Sequence, residues 1–196
     1  MTARALVSGL LLVLLAACGQ PDRGDRPPVA QPWPRDVPAI RVPEPGGDTF
    51  DIARQRGKVV VLFFGYTHCP DVCPTTLVDF VTARRALGPR ADSVRFVFIS
   101  VDWGRDTPQD AMRYARAFDH TFVGLAPDSA MLAPIMRGFY VGAYREAPDS
   151  AGNYAVAHSA GVYLVDRAGQ VHPPLGWSPA RAVEIQRAIE RALEGS

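Results

Sequence analysis

Lysine is almost missing from this chain: Lys58 is the only one, and arginine supplies the rest of its 21 basic residues. That is a compositional bias without functional content. Charge of one sign is missing too, because 20 acidic residues leave a formal net charge of +1. There is no basic field for a nucleic-acid backbone and no acidic field for cationic partners. Internal repeats are absent, and no apolar run is long enough to span a bilayer comfortably. Cysteine is scarce, with three in all. What remains is 196 residues, 47% apolar and 21% charged, which suits one globular core with some additional chain.

The opening, MTARALVSGLLLVLLAAC, carries Arg4 and then an apolar stretch from Ala5 to Ala17. It is read as a signal peptide over residues 1–17. Its end, Leu15-Ala16-Ala17-Cys18, resembles the lipobox of bacterial lipoproteins, in which the cysteine becomes the lipidated first residue. Ordinary cleavage after Ala17 and an uncleaved short anchor are the alternatives. Lipidation at Cys18 would hold the protein to a membrane on its periplasmic or extracytoplasmic side, since more than one acyl chain gives stable anchoring. From Gln20 to Gly46 prolines and charges crowd out any helical or strand period, so residues 18–44 are expected to be a tether. The folded domain is then expected over 45–196.

KVVVLFF, Lys58 to Phe64, reads as a strand buried on both faces. Pro74 opens a helix that stops at Gly88-Pro89, VRFVFISVD gives a second buried strand, and Asp106-Thr107-Pro108 starts a second helix. A short strand lies in TFVGLA, followed by a helix from Asp128 to about Tyr140 that Pro134 is expected to kink or split. A hairpin turning at Asp166 to Gly169 and a helix from Ser178 close the domain. This alternation predicts an α/β fold, best matched by a thioredoxin-like mixed sheet flanked by helices on both faces.

With Cys18 assigned to lipid, one pair of thiols remains, in FFGYTHCPDVCPTTL. Cys69 and Cys73 each precede a proline, which disfavours helical backbone. They are placed on the loop between the central strand and its helix, with Cys73 at the helix N-terminus, where unpaired N–H groups favour a thiolate. A structural disulfide, a redox dithiol and a pair of metal ligands all fit this spacing. His158, just before the apolar run Val162 to Val165, is a further donor at the mouth of a strand. Two thiolates and an imidazole suit Cu(I), and Cu(II) with one more donor; zinc competes chemically.

Three blocks in order, FFGYTHCPDVCPTTL, SVDWGRDTP and HSAGVYLVDRAGQ, resemble the signatures of the Sco/SenC family of copper chaperones. The resemblance runs from about Arg41 to Glu194. It implies a thioredoxin-like fold, copper as cargo, and assistance to the binuclear copper centre of cytochrome c oxidase, with the oxidase copper-binding subunit and a copper donor protein as partners. Carried over position by position, the metal ligands fall on Cys69, Cys73 and His158. Trp103-Gly104 and Ala160 depart from the family pattern outside the ligands, which bears on partner recognition. The alternative is a thiol–disulfide oxidoreductase acting through the redox pair Cys69 and Cys73 on cysteines of an oxidase subunit. Asp71 and Asp102 are candidates for the polar surroundings of the site. His68 is read as a surface histidine, with transient ligation as the alternative, and His120 and His172 as structural or exposed.

Overall fold

The computed structural model describes residues 33–195. They begin with three short strands, β1 (Arg35–Asp36), β2 (Arg41–Pro43) and β3 (Thr49–Asp51). The apolar run forms β4 (Val59–Gly65), buried at every position, and leads through the cysteine loop into α1 (Val72–Leu87). Next come β5 (Val94–Ser100), α2 (Pro108–Phe118), β6 (Val123–Leu125) and α3 (Ser129–Phe139). The chain continues with β7 (Ala143–Arg145), β8 (Val156–His158), β9 (Val162–Val165), β10 (Gln170–Val171) and α4 (Arg181–Glu194).

The main sheet has the order β1-β10-β9-β4-β5-β6. β4, β5 and β6 run parallel, while β9 joins β4 antiparallel, so the sheet is mixed. Parallel strands in the middle of such a sheet have both faces covered, which is why β4 is a continuous apolar run and β5 is apolar apart from Arg95 and Ser100. Alternate residues point to opposite faces. On one face Phe96 packs on Phe80 of α1 and Phe98 on Tyr114 of α2, at centroid separations of 5.3 and 5.1 Å. On the other, Phe64 and Tyr163 meet Phe139 of α3 at 5.4 and 5.3 Å. α4 packs along α1, where buried Arg181 donates to Asp79 and Thr76. The expected architecture, a mixed sheet with helices on both faces, is the one observed.

Local differences from the sequence reading have identifiable causes. The expected tether is folded at its end: β1 pairs with β10, and Ile40 and Val42 are fully buried. Trp33 meets Tyr140 edge-on, with the Arg35 guanidinium over both rings. Short edge strands tolerate proline, so composition conceals them. The signal peptide and Cys18 lie outside the described residues. α1 begins two residues before Pro74, because a first-turn proline removes only an N–H that has no intrahelical partner. α3 continues through Pro134 as one helix, losing a single ladder bond where tertiary packing holds Leu132, Ile135 and Phe139. α4 starts at Arg181, with Ser178 accepting from the Ala180 N–H just before it. The turn at Asp166 to Gly169 forms as expected, with Gly169 at φ +78. The hairpin of β7 and β8 was not expected at all.

Candidate metal centre

The two thiols are placed by backbone. β4 ends at Gly65, and the chain turns sharply enough for the Cys69 N–H to donate to the Tyr66 carbonyl at 3.2 Å. Cys73 sits in the first turn of α1, where amide hydrogens lack intrahelical acceptors. Its N–H points at Cys69 Sγ, 3.4 Å away. Cys69 is half-buried, Cys73 is buried, and no disulfide joins them. Gly65 makes room for this packing, since a Cβ there would stand 2.8 Å from Cys73 Sγ.

This geometry divides the protons unequally. Hydrogen bonding from Cys73, aided by backbone N–H groups, draws Cys69 far below the ordinary thiol range. Cys73 is pushed up, first by that same contact with Cys69 and then by burial. The helix terminus was expected to make Cys73 the thiolate. Instead its free amide serves the sulfur of Cys69, which becomes the more acidic of the two.

The imidazole arrives on a different element. His158 ends β8, which pairs only with β7 in a two-stranded sheet of its own, His158 opposite Ala143. His158 Nδ1 lies 3.1 Å from the Ser159 carbonyl. A carbonyl can only accept, so Nδ1 carries the hydrogen and Nε2 presents a lone pair. That Nε2 is 3.8 Å from Cys73 Sγ. The rings of Phe63 and Tyr66 stand edge-on to the imidazole, at 6.0 and 5.9 Å, and steady its plane.

The loop after β5 connects both arms. Buried Asp102 accepts from Tyr154 Oη at 2.9 Å and from Arg105 Nε, with Arg145 at 3.5 Å, so it grips the hairpin that carries His158. Asp106, also buried, accepts from the Thr67 N–H at 2.8 Å and from Thr67 Oγ1 at 2.6 Å, which holds the segment entering Cys69. Ser100 joins the two, donating to Asp106 at 2.6 Å and accepting from the Asp102 N–H at 3.1 Å. Asp102 therefore touches arginines and a tyrosine. Asp106 was missed as a site residue; its signal was a second acid in the block SVDWGRDTP.

Cys69 and His158 line a cleft of about 260 Å³ with Tyr66, Pro70, Asp71, Val72, Val156 and Ala160. Asp71 is exposed there, makes no side-chain cap, and contributes its carbonyl to Thr75. Among the described residues no three His, Cys, Asp or Glu side chains are already closed around an ion. One pair of donors nonetheless has the spacing that a shared ion requires. Metal–sulfur and metal–nitrogen bonds of about 2.3 and 2.0–2.1 Å span about 3.8 Å when the angle at the ion is near 120°. That is the separation of Cys73 Sγ and His158 Nε2. His68 faces a different cleft, His120 is exposed beside Asp119, and His172 Nε2 is engaged by Asp166 at 2.9 Å.

A thioredoxin-like sheet with two unequal thiols and an imidazole gathered at the C-terminal end of its parallel strands defines a soft-metal or dithiol-exchange domain. The chain belongs to the SCO1/SenC family, whose model matches residues 43–194. It is 31% identical over 144 residues to an SCO2-like protein of Rickettsia conorii, covering 72% of this chain and 70% of that one. Among solved structures it is similar to Bradyrhizobium japonicum ScoI with copper bound, at 35% identity and a TM-score of 0.72, covering 81% of this chain and all of that one. Apo Sco1 of Thermus thermophilus is similar at 31% identity and a TM-score of 0.71, covering 85% of this chain and 95% of that one.

Proposed function

We propose that this protein carries copper on Cys69, Cys73 and His158 and helps assemble the binuclear copper centre of cytochrome c oxidase. The recipient is the oxidase copper-binding subunit, and a separate copper donor loads the site. The observation that carries this reading is the approach of His158 Nε2 to Cys73 Sγ at 3.8 Å, with Cys69 Sγ 3.4 Å from the Cys73 N–H. Copper-bound ScoI of Bradyrhizobium japonicum, a relative at 35% identity, supports copper as the cargo. Two sulfurs and one imidazole favour Cu(I) and accept Cu(II) with one further donor. Half-exposed Cys69 is the edge at which an incoming thiolate binds before an old ligand leaves, so the ion passes by ligand exchange. The cleavage of residues 1–17 and the lipid on Cys18 belong to the same proposal, placing the domain on the extracytoplasmic side of a membrane. Among the described residues no helix is long and apolar enough to cross one.

A specific observation supports a second reading as a thiol–disulfide oxidoreductase: a half-exposed Cys69, its acidity raised by its neighbour, lies beside a buried Cys73 whose own acidity is lowered, the pattern of an attacking and a resolving cysteine. One set of variants separates the two. The reduced full chain is expected to retain stoichiometric copper, Cys69→Ala and Cys73→Ala to retain none, and His158→Ala to bind far more weakly. Dithiol exchange would survive His158→Ala. Undiminished copper content in all three variants would refute the carrier reading.

A further inference from the structure

Among the described residues Arg181 is the one buried cation, its side chain 1% exposed where α4 meets α1. Its Nε donates to Asp79 at 2.7 Å and its Nη2 to Thr76 Oγ1 at 2.9 Å, while Nη1 is buried without a partner among the described residues. Apolar side chains of similar volume can often replace a buried ion pair at no loss of stability. Packing of two helices therefore does not by itself account for a guanidinium left incompletely satisfied.

The consequence of the second contact follows from which groups can donate. A guanidinium only donates, so Thr76 Oγ1 accepts from Arg181 and keeps its single proton for another group. That group is the Val72 carbonyl, 2.7 Å away. The carbonyl of Val72 and the N–H of Cys73 belong to one peptide unit, and this N–H points at Cys69 Sγ at 3.4 Å. An unbroken row of donors and acceptors thus runs from a buried cation on α4, through Thr76 and one peptide plane, to a sulfur. Each hydrogen bond in such a row polarises the next. Helix geometry alone does not produce it. Thr75 and Thr82 of α1 also donate to the carbonyls four residues back, at 2.9 Å each, but both are exposed, and among the described residues neither accepts from a cation.

We propose that Arg181 is a positioning residue for the thiol pair: through Thr76 it aligns the Val72–Cys73 peptide so that the amide holds Cys69 Sγ in place beside Cys73. Its bearing on copper rests on the carrier function above, in which both sulfurs face one ion. Arg181 itself reaches the peptide only through the Thr76 hydroxyl.

The test reads the Cys73 amide by proton–nitrogen NMR in the reduced, copper-free full chain, and Cu(I) affinity by competition with a chelator. Thr76→Val keeps the shape of the side chain and removes the hydroxyl. It is expected to move the Cys73 amide proton upfield as its bond to sulfur weakens, and to lower Cu(I) affinity about tenfold, as when support behind a ligand is lost. Thr76→Ser keeps the hydroxyl and should restore both. Arg181→Met should act in the same direction as Thr76→Val. Asp79→Asn loosens the same helix pair but leaves the Thr76 contact, so it should lower the melting temperature with the amide signal and the affinity unchanged. A Cys73 amide that stays in place in Thr76→Val, or moves as far in Asp79→Asn, overturns the proposal. Where Arg181→Met does not fold, Thr76→Val and its serine rescue decide. A wild-type chain that retains no copper overturns the carrier reading, and the amide signal still decides whether Arg181 positions the sulfur.

Discussion

The cysteine arm and the histidine arm of the site are built by different means. Cys69 and Cys73 are held by the end of a seven-residue strand buried in the main sheet and by the first turn of a 16-residue helix. His158 is held by a three-residue strand in a separate two-stranded sheet, fastened to the body through side chains around Asp102. The first arm is positioned by backbone and core packing, the second by a few polar contacts. Rigidity at the sulfurs and a looser tie at the imidazole suit the proposed carrier, which would both hold an ion and release it.

Acidity tests the comparison most strongly at the cysteine arm. Cys73 is pushed up by its hydrogen bond with Cys69 and by burial, so it is protonated in the free protein and must be deprotonated to bind. Copper affinity should rise with pH by about tenfold per unit, for one proton released, across neutral pH. Competition titrations at fixed chelator read this directly, and a flat profile would mean that the pair surrenders no proton.

The histidine arm breaks at its fastening. Asp102→Asn removes the charge opposite Arg105 and Arg145 and is expected to destabilise the fold by about 3 kcal/mol, as for a buried ion pair deprived of one partner. Copper affinity should drop about 10- to 100-fold, the usual cost of losing support behind a ligand. Thiol alkylation rates should stay at the wild-type value. Altered alkylation together with unaltered affinity would reverse the assignment of the two arms.

A smaller effect is expected on the cysteine side from Gly65→Ala. The added Cβ would crowd Cys73 Sγ at 2.8 Å and the rings of Phe63 and Phe98 at 2.8 and 2.9 Å. Overpacking of this kind costs about 1–3 kcal/mol. Thermal melting should register it, accompanied by faster alkylation of Cys73 as the thiol is displaced. A melt and an alkylation rate equal to wild type would show that the strand end yields freely.

These differences also explain how legible each arm was in the sequence. The apolar run, the four-residue cysteine spacing and the flanking prolines are local, and they were enough to place Cys69 between β4 and α1 and Cys73 at the helix N-terminus. The same local rules misplaced the helix start, because the conformational bias before Pro74 was overridden in a first turn that tolerates proline. They also assigned the thiolate to Cys73, since the helix terminus was visible and the burial of that residue was not. His158 could be tied to the cysteines only by resemblance to a family, as nothing in VAH marks a three-residue strand. Asp102 reads as a turn acid because its partners Arg145 and Tyr154 lie far along the chain.

The sequence by itself determined the strand, the loop and the helix that carry the thiols, together with the soft character of the donors, because hydrophobic period and residue spacing act within a few residues. Only the tertiary structure decided that residues 73 and 158 meet, that Cys69 is the more acidic sulfur, and that chain before Pro45 belongs to the fold. Those outcomes depend on burial and on hydrogen bonds between distant segments, which exist only once the whole sheet has assembled.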